Sequence, residues 1–420
     1  MFRPRKLLRV PARLLAAAVV GLAAACATGS GGATPESGGY PVMPRGPESA
    51  TFVTRLGVDT VAVERAVYGA RSVEADVLLR VPTTTRTSYR LNLSPTGELV
   101  SLEAITNHPV AQRGPPTRVE RVTRVGDSLH VDVHDSGGEP RTRVVAAPSP
   151  QVLPFIDVVH WPFELALTRA RAAGQTRRAQ PLLTGGRVQD FAIADLGADS
   201  MTITHPFRGT MRVRVDARGR LLALDAGATT RKLVVQRRPW IGDDAMRALA
   251  SRWLEQDAAG RGVGALSGRA QMDATVGGAR LQADYGTPSK RGREIWGALV
   301  PFGQVWRTGA NQATHFTTDR DLVFGTGADT LLVPAGRYTL FSIPERGGGI
   351  LIVSRQTGQA GTAYDPTRDL GRVRLAARPL PGVVEVFTIA ANPEGAGGVL
   401  RLQWDRTELV VPFRVPPAGR

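Results

Sequence analysis

Apolar and polar positions alternate with a period of two along most of this chain, in short runs bounded by glycine, proline and aspartate, which is the pattern of half-buried β-strands. Residues 73–81, 88–93, 99–103, 118–125 and 128–133 read as strands in the first half. Residues 281–285, 315–318, 338–343, 350–353, 383–389, 400–404 and 409–415 read as strands in the second. Two segments read as helices. Residues 155–173 carry Leu165, Leu167 and an alanine-rich end, which support one. In residues 245–259, Met246, Leu249, Trp253 and Leu254 recur at helical spacing behind Asp243 and Asp244, whose charges complement the positive end of a helix dipole.

These elements predict a predominantly all-β protein. Residues 51–240 form an antiparallel curved sheet or half-barrel with one or two helices, residues 241–268 a helical connector closed by glycines, and residues 269–418 a β-sandwich. Residues 91–104 and 213–226 align with one another: each is strand, turn with a glycine (Gly97, Gly219), strand. Hairpins share this grammar in general, and a domain of two related hairpin layers, like the curved half-barrels of envelope lipid carriers, also fits.

The first residues depart from this pattern. Arg3, Arg5, Lys6, Arg9 and Arg13 precede an aliphatic run, residues 14–25, too short to span a bilayer, and the order predicts a cleaved signal peptide over residues 1–25. Cys26, the single cysteine, stands at the cleavage point and resembles the lipobox cysteine of bacterial lipoproteins, with Leu22 one position further away than usual. The resemblance implies lipidation of Cys26, and Ala27 in the following position is similar to the pattern of outer-membrane sorting. Residues 26–50, rich in glycine and proline, then read as a flexible tether. The expected address is the cell envelope, lipid-anchored in the outer membrane and facing the periplasm. With Cys26 acylated, no thiol remains for a disulfide, a zinc–thiolate site or a nucleophile.

The formal net charge of the whole chain is +16, and removing the five basic residues of the leader leaves +11. Nearly all of it is arginine, lysine occurring only at Lys6, Lys232 and Lys290. The arginines are scattered among acids without an aromatic-interleaved stripe, which argues against a nucleic-acid partner.

In the C-terminal half, Tyr285-Gly286-Thr287-Pro288, Gly292-Arg293, Ile295-Trp296-Gly297, Leu299-Val300-Pro301-Phe302-Gly303 and Val305-Trp306-Arg307-Thr308-Gly309-Ala310-Asn311 follow one another. Pro334-Ala335-Gly336 with Tyr338, and Leu402-Gln403-Trp404-Asp405, come later. These blocks resemble domain-of-unknown-function family 2911. The resemblance implies a bacterial envelope or secreted β domain and supplies no activity. Gln312 stands where the family pattern leads one to expect glutamate.

Metalloprotease, nucleophile-elbow and Walker motifs are missing, and Gly262 and Gly264 do not complete a dinucleotide fingerprint. Two constellations remain. His130, Asp132 and His134 fall on one face of a strand and could bind a divalent metal, or simply form its solvent face. Arg307, Asn311, Thr314 and His315, with Trp296 and Trp306 nearby, offer a guanidinium fork, an amide and aromatic walls for a carboxylate, phosphate or sugar. The bland alternative is that they tie down a long loop. His160 and Asp157 are a helix-spaced pair without a catalytic pattern. The expected role is non-catalytic binding of a small molecule, lipid or protein partner at the envelope, without a cofactor. The competing reading is a metal-dependent or hydrolase-like enzyme. A carrier requires an apolar cavity between curved sheet and helix, an enzyme convergent titratable groups in a cleft.

Overall fold

Two largely antiparallel sheets and two α-helices account for the architecture of the computed structural model, which describes Met43, Arg45, Gly46, residues 48–111 and residues 114–417. The expected signal peptide, Cys26 and most of the tether lie outside the described residues.

The first sheet opens with β1 (Ser49–Leu56), β2 (Asp59–Tyr68), β3 (Ser72–Leu79), β4 (Thr85–Leu93), β5 (Leu99–Asn107), β6 (Arg118–Val125), β7 (Ser128–Asp135) and β8 (Arg141–Ala146). After β9 (Leu153–Pro154) and helix α1 (Trp161–Ala172) come β10 (Arg177–Thr184), β11 (Arg187–Asp195), β12 (Ser200–His205), β13 (Gly209–Val215), β14 (Leu221–Asp225) and β15 (Val234–Arg238). All fifteen strands join one sheet in which β1 lies mid-sheet: the chain runs outward to β8, restarts at the far edge with β9, and returns until β15 pairs with β1. The edges β8 and β9 do not pair, so the curved sheet stays open. Helix α1 fills its concave side, with Trp161, Phe163, Ala166, Leu167 and Ala170 buried in one cluster with the inward-facing strand residues.

Helix α1 starts later than the 155–173 pattern predicts. Pro162 lacks an N–H and clashes with the carbonyl four residues back, so it is accommodated only in the first turn. The orphan N–H groups of that turn find a partner across the core. The Glu64 carboxylate, fully buried on β2, accepts the His160 N–H at 2.9 Å and the Trp161 N–H at 2.9 Å.

The aligned hairpins, β4–β5 and β13–β14, share their turn geometry. Gly97 and Gly219 sit at φ 84° and 80°. Ser94 and Asp216 side chains accept the backbone N–H groups two and four residues on in their respective turns. Both turns pack against the C-terminal half of α1, Gly97 near Arg169 and Gly219 near Thr168 and Arg171.

Helix α2 (Asp243–Ala258) is docked on the outer face of the first sheet, its Met246, Ala250 and Trp253 covering Val63 and Leu78. Val77 and Leu78, adjacent in β3, therefore face opposite cores. Under the same helix, Asp76 accepts from Arg65 at 2.5 Å and from Arg86 at 2.7 and 2.8 Å, all three buried. Asp243, the first residue of α2, completes the cluster on Arg65 at 2.8 Å.

The second sheet contains β16 (Ser267–Val276), β17 (Ala279–Pro288), β18 (Thr314–Thr318), β19 (Leu322–Thr326), β20 (Asp329–Val333), β21 (Gly336–Glu345), β22 (Gly348–Ser354), β23 (Asp369–Glu394) and β24 (Gly397–Arg414), in the order β16-β17-β18-β21-β22-β23-β24-β19-β20. Residues 400–404 and 409–415, expected as two strands, are one strand bent at Asp405, whose φ is 57°. Irregular pairing of β23 with β24 lets the sheet fold over itself as a sandwich, so that the Ile389 N–H of β23 donates to the Tyr285 hydroxyl of β17 at 3.0 Å across the layers.

Arg291 joins the sheets. Its guanidinium donates to Asp59 at 2.8 Å and to the carbonyls of Val263 and Ala265, while its own carbonyl accepts the Val58 N–H at 3.1 Å. Gly57 between the strands is required: a Cβ there would lie 2.1 Å from the Arg291 oxygen.

Two groups in the first sheet give opposed pH dependences. Burial pushes Glu164 of α1 up to about 7, against the pull of Arg237. The folded protein therefore holds this proton more tightly than the unfolded chain, and its contribution to stability falls as pH rises from about 4.5 to about 7 and is flat above. His205 is pushed down to about 4 by burial and by Arg208, so its contribution is lost as pH falls from about 6.5 through about 4. Because the two overlap, the difference between variant and wild type is the useful quantity. For Glu164→Gln, that stability difference is expected to grow in favour of the variant between about pH 4.5 and 7 and then level off, as read by thermal melts across the range. A difference independent of pH would show that folding leaves the Glu164 carboxyl at its unfolded affinity for the proton.

Candidate functional site

A cleft of about 410 Å³ between the two sheets gathers cationic side chains from both. The first sheet contributes Arg208 from the β12–β13 turn and Thr229, Arg231 and Lys232 from the loop between β14 and β15. The second contributes Arg293, Leu299, Trp306, Arg307 and Asn311 from the long segment between β17 and β18, with Phe341, Tyr364 and Trp404. Five lining residues are cationic, and among the described residues that line the cleft none is acidic.

The segment carrying Arg307 is fixed by its backbone. Trp306 and Ser342 exchange N–H···O bonds at 2.7 and 2.9 Å, Thr308 Oγ1 donates to the Ser342 hydroxyl, and Thr314 Oγ1 donates to the Thr308 carbonyl at 2.7 Å. The Ala310 N–H donates to Gly286 at 3.2 Å, an approach only glycine permits, since a Cβ on Gly286 would meet the Ala310 oxygen at 1.9 Å. Three non-glycine residues at the cleft have left-handed backbones: Lys232 at φ 57°, Thr308 at 51° and Asn311 at 61°. For β-branched Thr308 this conformation costs about 1–3 kcal/mol, which the surrounding hydrogen bonds must offset.

An aromatic stack supports the floor. Trp306 lies nearly parallel to Trp404 with centroids 5.9 Å apart, and Trp296 meets Trp306 edge-on at 5.9 Å. The indole N–H groups of Trp296 and Trp404 are spent on the carbonyls of Trp404 and Glu385.

The cations are only partly occupied. Arg307 makes a long contact to the Gly309 carbonyl at 3.4 Å, and burial lowers its pKa. Lys232 donates to the Gly227 carbonyl at 2.8 Å, and its pKa is lowered by burial and then by Arg293 and Arg307. That mutual repulsion places cations of the two sheets within each other's field. Arg208 and Arg231 share one carboxylate, Asp157, the first at 2.8 Å.

Of the residues singled out in the sequence, Arg307, Asn311 and Trp306 line the cleft, and Trp296 braces Trp306. Thr314 is buried behind the wall. His315 lies outside it, its Nδ1 paired with Thr339 Oγ1 at 3.1 Å. Arg208, Arg231, Lys232 and Arg293 are not among the residues singled out as a site, although Arg293 stands in one of the family-like blocks and Lys232 is one of only three lysines.

The residues of the candidate metal face lie apart from the cleft. His130, Asp132 and His134 do share one side of β7 while Val131 and Val133 are buried, but no group of three or more metal-ligating side chains gathers there or elsewhere among the described residues. Asp132 instead accepts the Thr142 hydroxyl at 2.7 Å. Nor are His160 and Asp157 a pair: the His160 ring faces Glu64 and Thr54, and Asp157 faces the two arginines.

Residues 267–413 match the family model described as Protein of unknown function (DUF2911), the region whose motifs carried the resemblance. No curated protein matches the chain. Two similar solved structures are a DUF1089 family protein from Pseudomonas aeruginosa (14% identity, 40% of this chain and 90% of that chain, TM-score 0.26) and a beta-barrel-like protein of domain of unknown function DUF1849 from Brucella abortus (9% identity, 45% and 94%, TM-score 0.30).

Proposed function

We propose that this protein is an envelope-anchored lipoprotein, tethered through Cys26, that binds a small anionic ligand non-catalytically in the cleft between its sheets. The observation that carries this reading is the cleft's lining of five cations with no carboxylate among them. Cations brought together and partly withdrawn from water repel one another, and an anion bridging them turns that repulsion into charge-assisted hydrogen bonds. The lining also lacks a paired general acid and base, which favours binding over hydrolysis.

Titration of the purified protein with inorganic phosphate, followed by tryptophan fluorescence from Trp306 and Trp404, tests it. Saturable binding is expected, weakened about 10- to 100-fold in Arg307→Ala, the value of one charge-assisted contact. Phosphate affinity that is absent, or unchanged in Arg307→Ala and Lys232→Ala alike, would overturn the assignment. The anchor is tested separately by incorporation of labelled palmitate, which Cys26→Ala must abolish.

A further inference from the structure

The cleft is not the only space bordered by its arginines. Arg208 and Arg231 also wall a narrow slot of about 30 Å³, whose remaining lining is largely apolar, with Phe163, Met211, Leu224 and Leu233 among its residues. On the inner face of the first sheet lies a groove of about 370 Å³, within the size range of small-molecule sites, in which Tyr89, Leu102, Ala104, Val122 and Leu183 form an apolar strip and Thr87, Thr106, Arg118, Glu120 and Arg143 a polar one. Phe155, Ile156 and Asp157 border both slot and groove. A single segment, residues 155–159 ahead of α1, thus stands as a partition between the slot beside the cationic cleft and a groove whose lining is part apolar and part polar.

That segment is held in a particular way. Its one carboxylate, Asp157, is clamped by Arg208 and Arg231, the same two side chains that face the cleft. Next to it, Val158 has a φ of 69°, a left-handed backbone that a β-branched residue adopts only under constraint. An anion arriving in the cleft competes with Asp157 for both guanidinium groups, and what it displaces is the charged hold on the partition.

Building on the anion-binding reading, we infer that the ligand is a single-chain anionic amphiphile, its phosphate or carboxylate head held by the cleft cations and its hydrocarbon tail passing beneath residues 155–159 into the slot and groove. Head binding and tail entry are coupled, because the head releases the segment that closes the path of the tail. A neutral amphiphile lacks the means to displace Asp157, and an anion without a tail gains nothing from the slot.

Calorimetric titration of the purified protein with inorganic phosphate, octyl phosphate, acetate, octanoate and octyl glucoside, each below its micelle concentration, separates these terms. Each methylene removed from water multiplies affinity roughly fourfold. Octyl phosphate or octanoate is therefore expected to bind at least about 100-fold more tightly than its tail-less counterpart, and whichever shows the gain identifies the head. Octyl glucoside is expected not to bind. Met211→Trp, which fills the slot, removes the gain and leaves phosphate affinity unchanged. Asp157→Asn, which loosens the partition without touching the core, raises octyl phosphate affinity. Equal affinities for tailed and tail-less anions, together with no effect of Asp157→Asn, would overturn this inference while leaving anion binding intact. Failure of every anion to bind would remove both, and octyl glucoside binding as well as octyl phosphate would remove the role of the head.

Discussion

Asp76→Ala is expected to lower the unfolding free energy by about 3–5 kcal/mol, among the largest effects of any single substitution in the first sheet. Asp76 is fully buried beneath α2 and is the carboxylate shared by Arg65 and Arg86. Truncating it removes the carboxylate that two buried guanidinium groups share and leaves Arg65 with Asp243 at the rim and the Ile241 carbonyl. The cost arises from the charges left behind and not from the loss of an intrinsically strong contact. Asp76→Leu combined with Arg65→Met and Arg86→Met is therefore expected to recover most of the loss, since removing a whole buried ionic cluster is often neutral. Chemical denaturation of the two variants decides it. A single substitution costing less than about 1 kcal/mol would mean that water reaches the cluster and that α2 does not seal it.

The same cluster shows why the fold was more legible in the sequence than its polar interior. Alternation marked β3 to β7 as strands because it depends only on which face is buried, and that is written locally. Met246 and Trp253 marked α2 for the same reason. Asp76 sits between Ala75 and Val77 just as a surface residue would, and nothing local distinguishes a charged residue facing solvent from one facing a helix distant in the chain. The start of α1 was misplaced because Leu165, Leu167 and the alanines support a helix without marking its start, which Pro162 sets.

The candidate site divides along the same line. Trp306, Arg307 and Asn311 were legible because one segment contains them and its motif is distinctive. Arg208, Arg231 and Lys232 belong to turns of the other sheet and meet them only in three dimensions. Sequence spacing also suggested His130, Asp132 and His134, but a shared face is not convergence: a strand separates its same-face residues, whereas loops from two sheets bring distant ones together. The apolar cavity expected of a carrier is not simply waiting beneath the curved sheet either, since α1 fills most of that space and leaves a groove, a slot and the partition between them.

Whether that interior holds together depends on Glu64. Glu64→Ala is expected to cost about 3–5 kcal/mol, because the backbone N–H groups of His160 and Trp161 lose their acceptor inside the core and each unsatisfied buried donor costs about 1–3 kcal/mol. The His160 ring loses its partner at 3.2 Å in the same step, leaving Thr54 as its remaining contact. Glu64→Gln keeps one carbonyl oxygen to accept from the helix start but gives up the charge that favours the positive end of the helix, so it is expected to cost about 1–3 kcal/mol. The ordering of the two variants distinguishes a hydrogen-bond anchor from a merely space-filling side chain, and thermal unfolding measures it. The effect also reaches the cleft. Residues 155–159 enter α1 through His160, and an unanchored helix start loosens the segment that carries Asp157. Glu64→Gln is accordingly expected to speed amide exchange at residues 155–161 while leaving β3 to β5 protected. Exchange raised equally throughout the sheet would instead place Glu64 in global stability alone, with no particular hold on the partition.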